Sequence, residues 1–453
     1  MNNNQKEISY SFILKRMVAL SIPTIIEQVL QTVVQYVDTA MVGRLGQQAT
    51  AAVSVTTTIT WLVNSLMSAF GIGILAMISK ASGEKNQEKI RDFSVLAGWF
   101  VAVIGMTEGI AVCFLSSYIP DWMGAAPEIR QDASLYFFIV SAPMLFRASS
   151  TIFGAAIRAS GDMRTPMMIN VGVNGINIVL NYILIYQAGL GVKGAALSSA
   201  ISYVFGGSCM FLAFMKKFGL SKIGKSRIRK IVPQRETVKQ ALGISIPVVF
   251  TNTASCMGYV VFASLVSGMG TTIFAAHSIA VTAETLFYIP GYGMNTAVSA
   301  MIGYSLGEDN WQKFDRIWKL AVLLAVGLMC INGAILYFAS NGLMSLFTPE
   351  KKVIALGAKM LRIVALSEPF FGLMVIMQGI YHGLGRTGYA FVSETASMWG
   401  IRIFFSMLCV KVWGLGLSAV WYCMVADNVV KSMLYTIRFL IPSQRRKLWG
   451  KIL

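Results

Sequence analysis

Long apolar stretches alternate with short polar ones along the whole chain. Each apolar stretch is long enough to cross a bilayer as a helix, which takes about 20 residues. The twelve stretches run at about 17–42, 51–79, 93–117, 131–153, 166–187, 192–215, 240–266, 273–303, 317–340, 353–380, 389–411 and 414–440. The pattern predicts an all-α integral membrane protein with twelve transmembrane helices.

The two halves of the chain are related in sequence. A shift of 224 residues without a gap aligns Ser21-Ile22-Pro23 with Ser245-Ile246-Pro247, Gly46 with Gly270, and Gly83-Glu84 with Gly307-Glu308. With six spans each, both copies enter the membrane in the same orientation, as in the parallel repeats of transporters. We therefore expect two pseudo-symmetric six-helix bundles, at 1–215 and 240–453, joined by a basic cytoplasmic linker at 216–239.

Composition excludes an ordinary soluble protein. Of the 453 residues, 55% are hydrophobic and 13% are charged, whereas soluble proteins have about 25% charged residues. The net charge of +18 comes largely from basic residues in the linker, the C-terminus and alternate loops. This distribution marks the cytoplasmic side of a membrane rather than a nucleic-acid surface. We expect a multi-pass protein of the plasma membrane with both termini cytoplasmic.

The first apolar stretch carries a polar stripe. At 100° per residue, its members fall within about 80° of one another on one helical face; they are Glu27, Gln31, Gln35 and Asp38. A carboxylate at the bilayer centre costs roughly 2.5 kcal/mol or more, so such residues usually face a bundle interior or a watery cavity. We assign Asp38 to ion coupling and Glu27, Gln31 and Gln35 to a substrate cavity; the alternative for Asp38 is a structural acid paired with a buried base.

The stripe exists in only one half. At the 224-residue offset, Asp38 aligns with Phe262 and Glu27 with Thr251. A requirement of the fold itself would be expected in both copies. The asymmetry therefore favours ion coupling by the N-terminal half.

A second stripe lies on the fifth span. Four carboxamides share one helical face, namely Asn170, Asn174, Asn177 and Asn181. Such side chains are costly in lipid unless they are hydrogen-bonded. We expect Asn174, Asn177, Asn181 and the nearby Ser198 to join Asp38 in holding a proton, or in coordinating Na⁺ through Asp38, Asn177 and Asn181. Plain interhelical hydrogen bonding is the alternative.

The second half has acids of its own. Glu284 shares a face with Tyr288 on the eighth span, and Glu368 precedes Pro369 in the tenth. We expect these three polar residues to line a substrate cavity, where the acids would attract a cation or carry a second proton; Glu368 could instead cap a broken helix. The bases in or near apolar stretches should pair with buried acids or snorkel; they are Arg147, Arg362, Arg402 and Lys431.

The sequence lacks the strand context that the motifs of enzymes and of nucleotide-driven pumps require. Its one match to GxxxxGK[ST], at 219–226, falls in the basic linker, and its one match to GxSxG, at 303–307, ends near an apolar stretch; neither follows a predicted strand. Neither His277 nor His382 has a carboxylate or cysteine at ligand spacing. We expect no enzymatic activity and no cofactor or resident metal, so that an ion gradient supplies the energy.

Several motifs together resemble the multidrug and toxic compound extrusion (MATE) transporters. They are Pro23 with the run from Asp38 to Gly46, the loop Gly161-Asp162-Met163-Arg164-Thr165-Pro166, the run from Gly191 to Ala196, and Ala275-Ala276-His277. The resemblance covers nearly the whole chain and favours the DNA-damage-inducible F-like branch. It implies a V-shaped pair of six-helix bundles that exports organic, often cationic compounds in exchange for H⁺ or Na⁺.

The resemblance also implies site residues. In that branch the first-helix aspartate, here Asp38, is the protonation or sodium site, and polar residues at Asn177 and Asn181 join it. This chain has Asn181 where many relatives carry a second acid, and Ser255 where the sodium-coupled branch carries a glutamate. The first departure weakens a two-carboxylate sodium site, and the second argues against a sodium site in the C-terminal half and toward a mechanism in the N-terminal half, driven by H⁺ or Na⁺. We expect a monomer that binds small organic substrates.

A lipid-linked oligosaccharide flippase of the same superfamily is the closest alternative. It would need a basic groove for a pyrophosphate, whereas this sequence places acids within its spans. A membrane enzyme would need clustered His, Asp or Ser near one interface, and a channel would suit the duplicated halves less well than alternating access does.

Overall fold

The structure is a computed structural model that describes residues 8–219 and 232–441. Twelve long helices follow one another in the described ranges, with the short helices Ile119–Trp122 and Ser340–Ser345 between them, and no strand is present there, so the predicted fold class is confirmed. The helices are α1 Tyr10–Gly43, α2 Gln47–Gly83, α3 Gln87–Leu115, α4 Pro127–Ser141 with Met144–Ala159, α5 Arg164–Gln187, α6 Gly191–Phe218, α7 Arg235–Ser267, α8 Thr271–Gly307, α9 Trp311–Phe338, α10 Lys351–Ala365 with Glu368–Gly383, α11 Thr387–Val412 and α12 Leu417–Leu440.

Most of these helices are long and apolar enough to cross a membrane. Within the described residues, nine pass that test singly, and α4 and α10 pass as bent pairs, with bends of 52° and 56°. A proline lies at or next to each bend, Pro143 in α4 and Pro369 in α10, and proline is a common cause of kinks. The twelfth helix is not in this group, and its apolar sequence is interrupted by Asp427, Asn428 and Lys431.

The described chain forms two compact units. The first unit comprises Ile26–Ile246, and the second comprises the residues up to Ile25 and from Pro247 onward. Both boundaries fall inside a helix, next to the repeated Ser-Ile-Pro sequence of α1 and of α7. The beginning of α1 thus belongs to the second unit, and the beginning of α7 belongs to the first.

These units differ from the predicted division. Residues 8–25, predicted within the N-terminal bundle, lie in the second unit, and residues 240–246, predicted within the C-terminal bundle, lie in the first. Helices also occupy both ends of the predicted linker at 216–239, because α6 continues to Phe218 and α7 begins at Arg235. The middle of that linker, 220–231, lies outside the described residues.

Close helix contacts hold the first unit together. A Cβ on Gly207 of α6 would lie 2.3 Å from the backbone oxygen of Phe146 in α4, so only glycine allows this approach. Ser149 Oγ donates to the backbone oxygen of Gly207 at 2.8 Å, where α4 contains a π-helical turn at Ser149–Phe153. The start of α7 also packs closely here, with Ser245 against Gly73 of α2.

The start of α1 packs into the second unit. Ile13 and Met17 are buried in the same apolar cluster as Phe314 and Phe439. Thr24 Oγ1 donates to the backbone oxygen of Gly293 at 2.7 Å. These contacts explain why the sequence before the Ser-Ile-Pro repeat of α1 belongs to the second unit rather than the first.

A chain of four charged side chains ties α11 to α12 in the second unit. Asp427, whose side chain is 0% exposed, lies 3.0 Å from Arg402 Nε and 3.1 Å from Lys431 Nζ. Lys431 Nζ also lies 3.4 Å from Glu394 Oε1, and Ser397 Oγ donates to Asp427 at 2.6 Å. Arg402 and Lys431 therefore pair with buried acids, one of the two predicted arrangements.

Removal of the Asp427 charge is expected to destabilise the second unit. Asp427→Asn leaves Arg402 and Lys431 without their shared anion, and breaking a buried pair in this way costs about 3–5 kcal/mol. Denaturant titration in mixed micelles measures this loss. The matched control is Asp121→Asn, because Asp121 pairs with Arg130 at 2.7 Å on an exposed surface and should lose no more than about 1 kcal/mol. Equal losses in the two variants would contradict the stabilising role of the buried network.

Candidate functional site

Helices α1 and α5 lie side by side and parallel in the first unit. Asn181 Nδ2 donates to Asp38 Oδ1 at 2.6 Å, and Asn170 Nδ2 donates to Glu27 Oε1 at 2.6 Å. Each pair is separated by 143 residues in sequence. A constant offset means that both carboxylates meet the asparagine face of α5 in one register.

Three helices meet at Asp38. Ser198 Oγ of α6 donates to Asn181 Oδ1, which directs the nitrogen of that amide toward Asp38. The Asn177 amide is assigned with its nitrogen toward Asp38, and in this orientation it donates to the two carboxylate oxygens at 2.9 and 3.2 Å. The opposite orientation would place the Asn177 oxygen against the carboxylate. We call Asp38, Asn177, Asn181 and Ser198 the carboxylate–amide cluster.

The carboxylate–amide cluster is enclosed but uncharged except for Asp38. Asn177, Asn181 and Ser198 are buried, and Asp38 is partly buried. No basic side chain in the described ranges forms an ion pair with Asp38. Neutral donors alone therefore support its negative charge. Such a carboxylate can accept a proton or attract a cation without displacing a protein cation.

The remaining members of the two predicted stripes lie elsewhere. Gln31 and Gln35 are exposed in α1, and Asn174 Nδ2 is buried without a hydrogen-bond partner in the described part of the chain. The structure brings together Asp38, Asn177, Asn181 and Ser198 from the predicted ion-coupling set, and it leaves Asn174 out of that cluster.

Glu27 forms a separate buried ion pair. Arg158 Nη2, at the end of α4, lies 2.5 Å from Glu27 Oε1, the oxygen that also accepts from Asn170. The Glu27 side chain is 5% exposed. Glu27 thus has the buried basic partner that we considered as an alternative for Asp38.

The predicted acids of the second unit are both buried. Tyr288 Oη donates to Glu284 Oε1, and the Tyr288 ring stacks on Phe371 with centroids 3.8 Å apart. Glu368 is 0% exposed, and neither of its oxygens has a hydrogen-bond partner within the described residues. Glu368 therefore does not cap the broken helix α10 through its carboxylate.

Comparison with known proteins identifies the family. The family model MatE matches this chain twice, at residues 23–183 and 247–408, which is more than half of its length. The chain belongs to the MatE family. The two matches begin at Pro23 and Pro247, the same 224-residue offset that relates the two halves in sequence. Members of this family are transporters and not enzymes, so the predicted family and the absence of an enzymatic role are confirmed.

Full-length relatives support this assignment. The chain is 25% identical over 435 residues to a probable multidrug resistance protein NorM of Thermotoga maritima, with 94% of this chain and 92% of that protein covered. It is 24% identical to the multidrug resistance protein PmpM of Pseudomonas aeruginosa, with coverages of 86% and 82%.

Solved structures share the fold. A multidrug resistance MATE family transporter in an outward-facing conformation is similar with a TM-score of 0.90 and 22% identity, covering 99% of this chain and 98% of that one. A MATE structure in a bent conformation has a TM-score of 0.89 and 22% identity, with 99% of both chains covered. At this level of identity, the comparison establishes the common fold.

The sequence did not reveal several residues that form polar contacts inside this MatE-family chain. Asp427 and Glu394 were missed as partners of Lys431 and Arg402, although Asp427 and Lys431 are spaced i, i+4 on one helix, a recognisable signal for an ion pair. Arg158 lies among the basic residues near the alternate loops, where the sequence gives no signal for a buried acidic partner. Asn64, which accepts from Arg147 Nη2, gave no signal because an asparagine in an apolar stretch has many possible partners.

Loss of the Ser198 hydroxyl is expected to weaken the carboxylate–amide cluster. Ser198→Ala leaves Asn181 Oδ1 buried without its donor, at a cost of about 1–3 kcal/mol. Denaturant titration in mixed micelles measures the change. In the control Ser267→Ala, the lost hydroxyl is exposed and donates only to a carbonyl of its own helix, so we expect a change within about 0.5 kcal/mol. A Ser198→Ala protein as stable as the control would show that this hydroxyl does not fix the Asn181 amide.

Proposed function

We propose that this chain is a secondary active multidrug efflux antiporter, exporting organic, mostly cationic compounds in exchange for H⁺. The observation that carries the proposal is Asp38, a partly buried carboxylate on a membrane helix that only neutral groups support. The names of the multidrug resistance relatives support the substrate class, and the family supports the transport mode.

A charge change at Asp38 supplies a coupling mechanism. The ionised carboxylate accepts hydrogen bonds from Asn181 and Asn177, whereas a protonated carboxyl has less capacity to accept them. Protonation therefore weakens the contact between α1 and α5 and favours a different arrangement of the bundle. A ligand couples to such a transition only through its different affinity for the two arrangements, and a cationic substrate would favour the ionised one.

The amide geometry supports H⁺ over Na⁺. Na⁺ prefers oxygen ligands, but the nitrogen of Asn181 faces the carboxylate, and the Asn181 oxygen is held by Ser198. A sodium site at Asp38, Asn177 and Asn181 would require the Asn181 amide to rotate. A proton on Asp38 requires no such rotation.

The buried acids of the second unit have a separate proposed role in substrate binding. Glu284 and Glu368 are buried without an ion-pair partner in the described chain. Two acids and aromatic rings such as Tyr288 and Phe371 suit a cation with an apolar body. The flippase alternative would need an available basic groove, and Arg402 and Lys431 are instead neutralised by Asp427 and Glu394.

Exchange of Asp38 for an uncharged isostere is expected to abolish ion-driven efflux. Purified wild type and Asp38→Asn are reconstituted in vesicles, and uptake of a fluorescent lipophilic cation is measured with a proton gradient and with a sodium gradient imposed separately. We expect the proton gradient to drive the wild type and at least a tenfold lower rate for Asp38→Asn.

The control is Asp121→Asn, which removes an exposed acid and should transport at the wild-type rate. Wild-type transport by Asp38→Asn would move the coupling site elsewhere, with Glu284 as the next candidate. A sodium gradient that drives the wild type while a proton gradient does not would overturn the choice of H⁺. No transport under either gradient would favour the flippase alternative.

We also place the chain in the plasma membrane with both termini cytoplasmic. The support is the excess of Lys and Arg in the loops that connect even-numbered helices to the following odd-numbered ones, which marks the cytoplasmic side. The bases are Lys85, Lys89, Arg91, Arg158, Arg164, Lys313 and Arg316.

Antibody access tests this orientation. A peptide tag at the C-terminus should be detected only after intact cells are permeabilised. The same tag inserted at Gly124, between α3 and α4, should be detected without permeabilisation. The reverse pattern would invert the topology.

A further inference from the structure

We propose that Glu27 and Arg158 are positioning residues, which hold α1 in register with α5 so that Asp38 meets its amide donors. This inference rests on the proposed role of Asp38 in coupling. It assigns to Glu27 a function other than the substrate contact expected from the sequence.

The ion pair is built to fix one point on α1. Glu27 Oε1 accepts from Arg158 Nη2 at 2.5 Å and from Asn170 Nδ2 at 2.6 Å, so α4 and α5 both hold the same oxygen. The Glu27 and Arg158 side chains are 5% and 15% exposed, and a pair shielded from solvent is screened little by salt. Glu27 Oε2 has no hydrogen-bond partner among the described residues, so these contacts through Oε1 determine where the carboxylate lies.

Glu27 is placed where a positioning contact is most effective. The boundary between the compact units falls between Ile25 and Ile26, so Glu27 lies in the first turn of α1 that belongs to the first unit. Pro23, just before this boundary, lacks the N–H that would continue the helical hydrogen bonding. The ion pair therefore fixes α1 to the first unit at the point where that unit begins.

The position of Glu27 determines the position of Asp38. The two residues are three helical turns apart, about 16 Å at 1.5 Å per residue, and each meets α5 at the same 143-residue offset. A slip of one residue between the helices would move Asp38 by about 1.5 Å and turn it by about 100°. Such a slip would break its bonds to Asn181 and Asn177.

The repeat supports a link between the two carboxylates. Residues at the 224-residue offset from Glu27, Asp38 and Arg158 are Thr251, Phe262 and His382. Thr251 Oγ1 donates to the backbone oxygen of Pro247 in its own helix. The half without the coupling carboxylate thus also lacks the ion pair, as expected if the pair serves Asp38 rather than the fold that both halves share.

Few other groups act on Asp38. The neighbours on α5 and α6 are the neutral amides and the Ser198 hydroxyl, and the titratable group from α4 that interacts with it electrostatically is Tyr136. Because none of these is a cation, the hydrogen bonds from Asn181 and Asn177 are the contacts that favour the charged form of Asp38 over the protonated one. A change in register should therefore change the proton dependence of transport.

The first test measures the proton concentration that gives half-maximal efflux of a lipophilic cation from reconstituted vesicles. We expect Glu27→Gln to change this concentration three- to tenfold, because the lost charge frees α1 to slip. Arg158→Lys should change this concentration less than Arg158→Gln does, because lysine keeps the positive charge. The double variant Glu27→Arg with Arg158→Glu, which exchanges the two charges, should return the concentration part of the way to the wild-type value. The control is Glu84→Gln, which removes the acid of the more exposed pair with Lys89 and should stay within twofold.

The second measurement does not depend on transport. Infrared difference spectra between high and low pH identify the Asp38 carboxyl band as the one missing from Asp38→Asn. Glu27→Gln should shift this band to higher frequency, because the carbonyl loses hydrogen-bond donors. If the wild type shows no proton-driven transport, the proposed function is wrong. The shift of the Asp38 band in Glu27→Gln still tests separately whether Glu27 positions Asp38.

An unshifted Asp38 band, or a proton dependence within twofold of the wild type, would overturn the proposal. A Glu27→Gln protein that loses only thermal stability would show that the ion pair is purely structural.

Discussion

An ionised carboxylate inside an apolar helix bundle needs a partner, because an isolated buried charge is too costly to keep. The two halves of this chain meet that constraint in different ways. In the first unit, neutral amides and a hydroxyl surround Asp38. In the second, Asp427 lies between Arg402 and Lys431. Neutralising Asp427 would leave the buried Arg402 without its anion and Lys431 with only Glu394, whereas neutralising Asp38 leaves only amides. The same fold therefore contains one carboxylate whose charge can be removed without leaving a cation unpaired and one whose charge is fixed by its basic partners.

The repeat explains how this division arose without a change of fold. Both halves keep the Ser-Ile-Pro sequence at the point where a long helix passes from one compact unit into the other. Asn170 and Glu394 occupy corresponding positions at the 224-residue offset, one donating to Glu27 and the other paired with Lys431. At this one equivalent position, an amide that bonds to an acid in one half is replaced in the other half by an acid that pairs with a base.

The sequence predicted the helices, the repeat and the meeting of α1 with α5, because each follows from periodicity along the chain. It could not predict which side chains of the α1 stripe face α5. Helical geometry places Glu27 and Asp38 within about 20° of each other, with Gln31 and Gln35 at about 40° and 80°, and it is Glu27 and Asp38 that accept hydrogen bonds from α5. It also could not predict the partners of the buried charges, because Arg158 and Glu27 are 131 residues apart and only the folded bundle brings them together.

The contrast between Glu27 and Asp38 shows how one helix can contain both a fixed and an exchangeable charge. They lie on the same face, and each accepts a hydrogen bond from an asparagine of α5. Arg158 adds a full positive charge to one of them, so that losing the Glu27 charge would leave a buried cation unpaired. Asp38 has no basic partner that its protonation would leave unpaired. In the proposed mechanism it can therefore accept a proton while Glu27 keeps α1 and α5 aligned. A single arginine at the end of α4 is enough to separate the two roles.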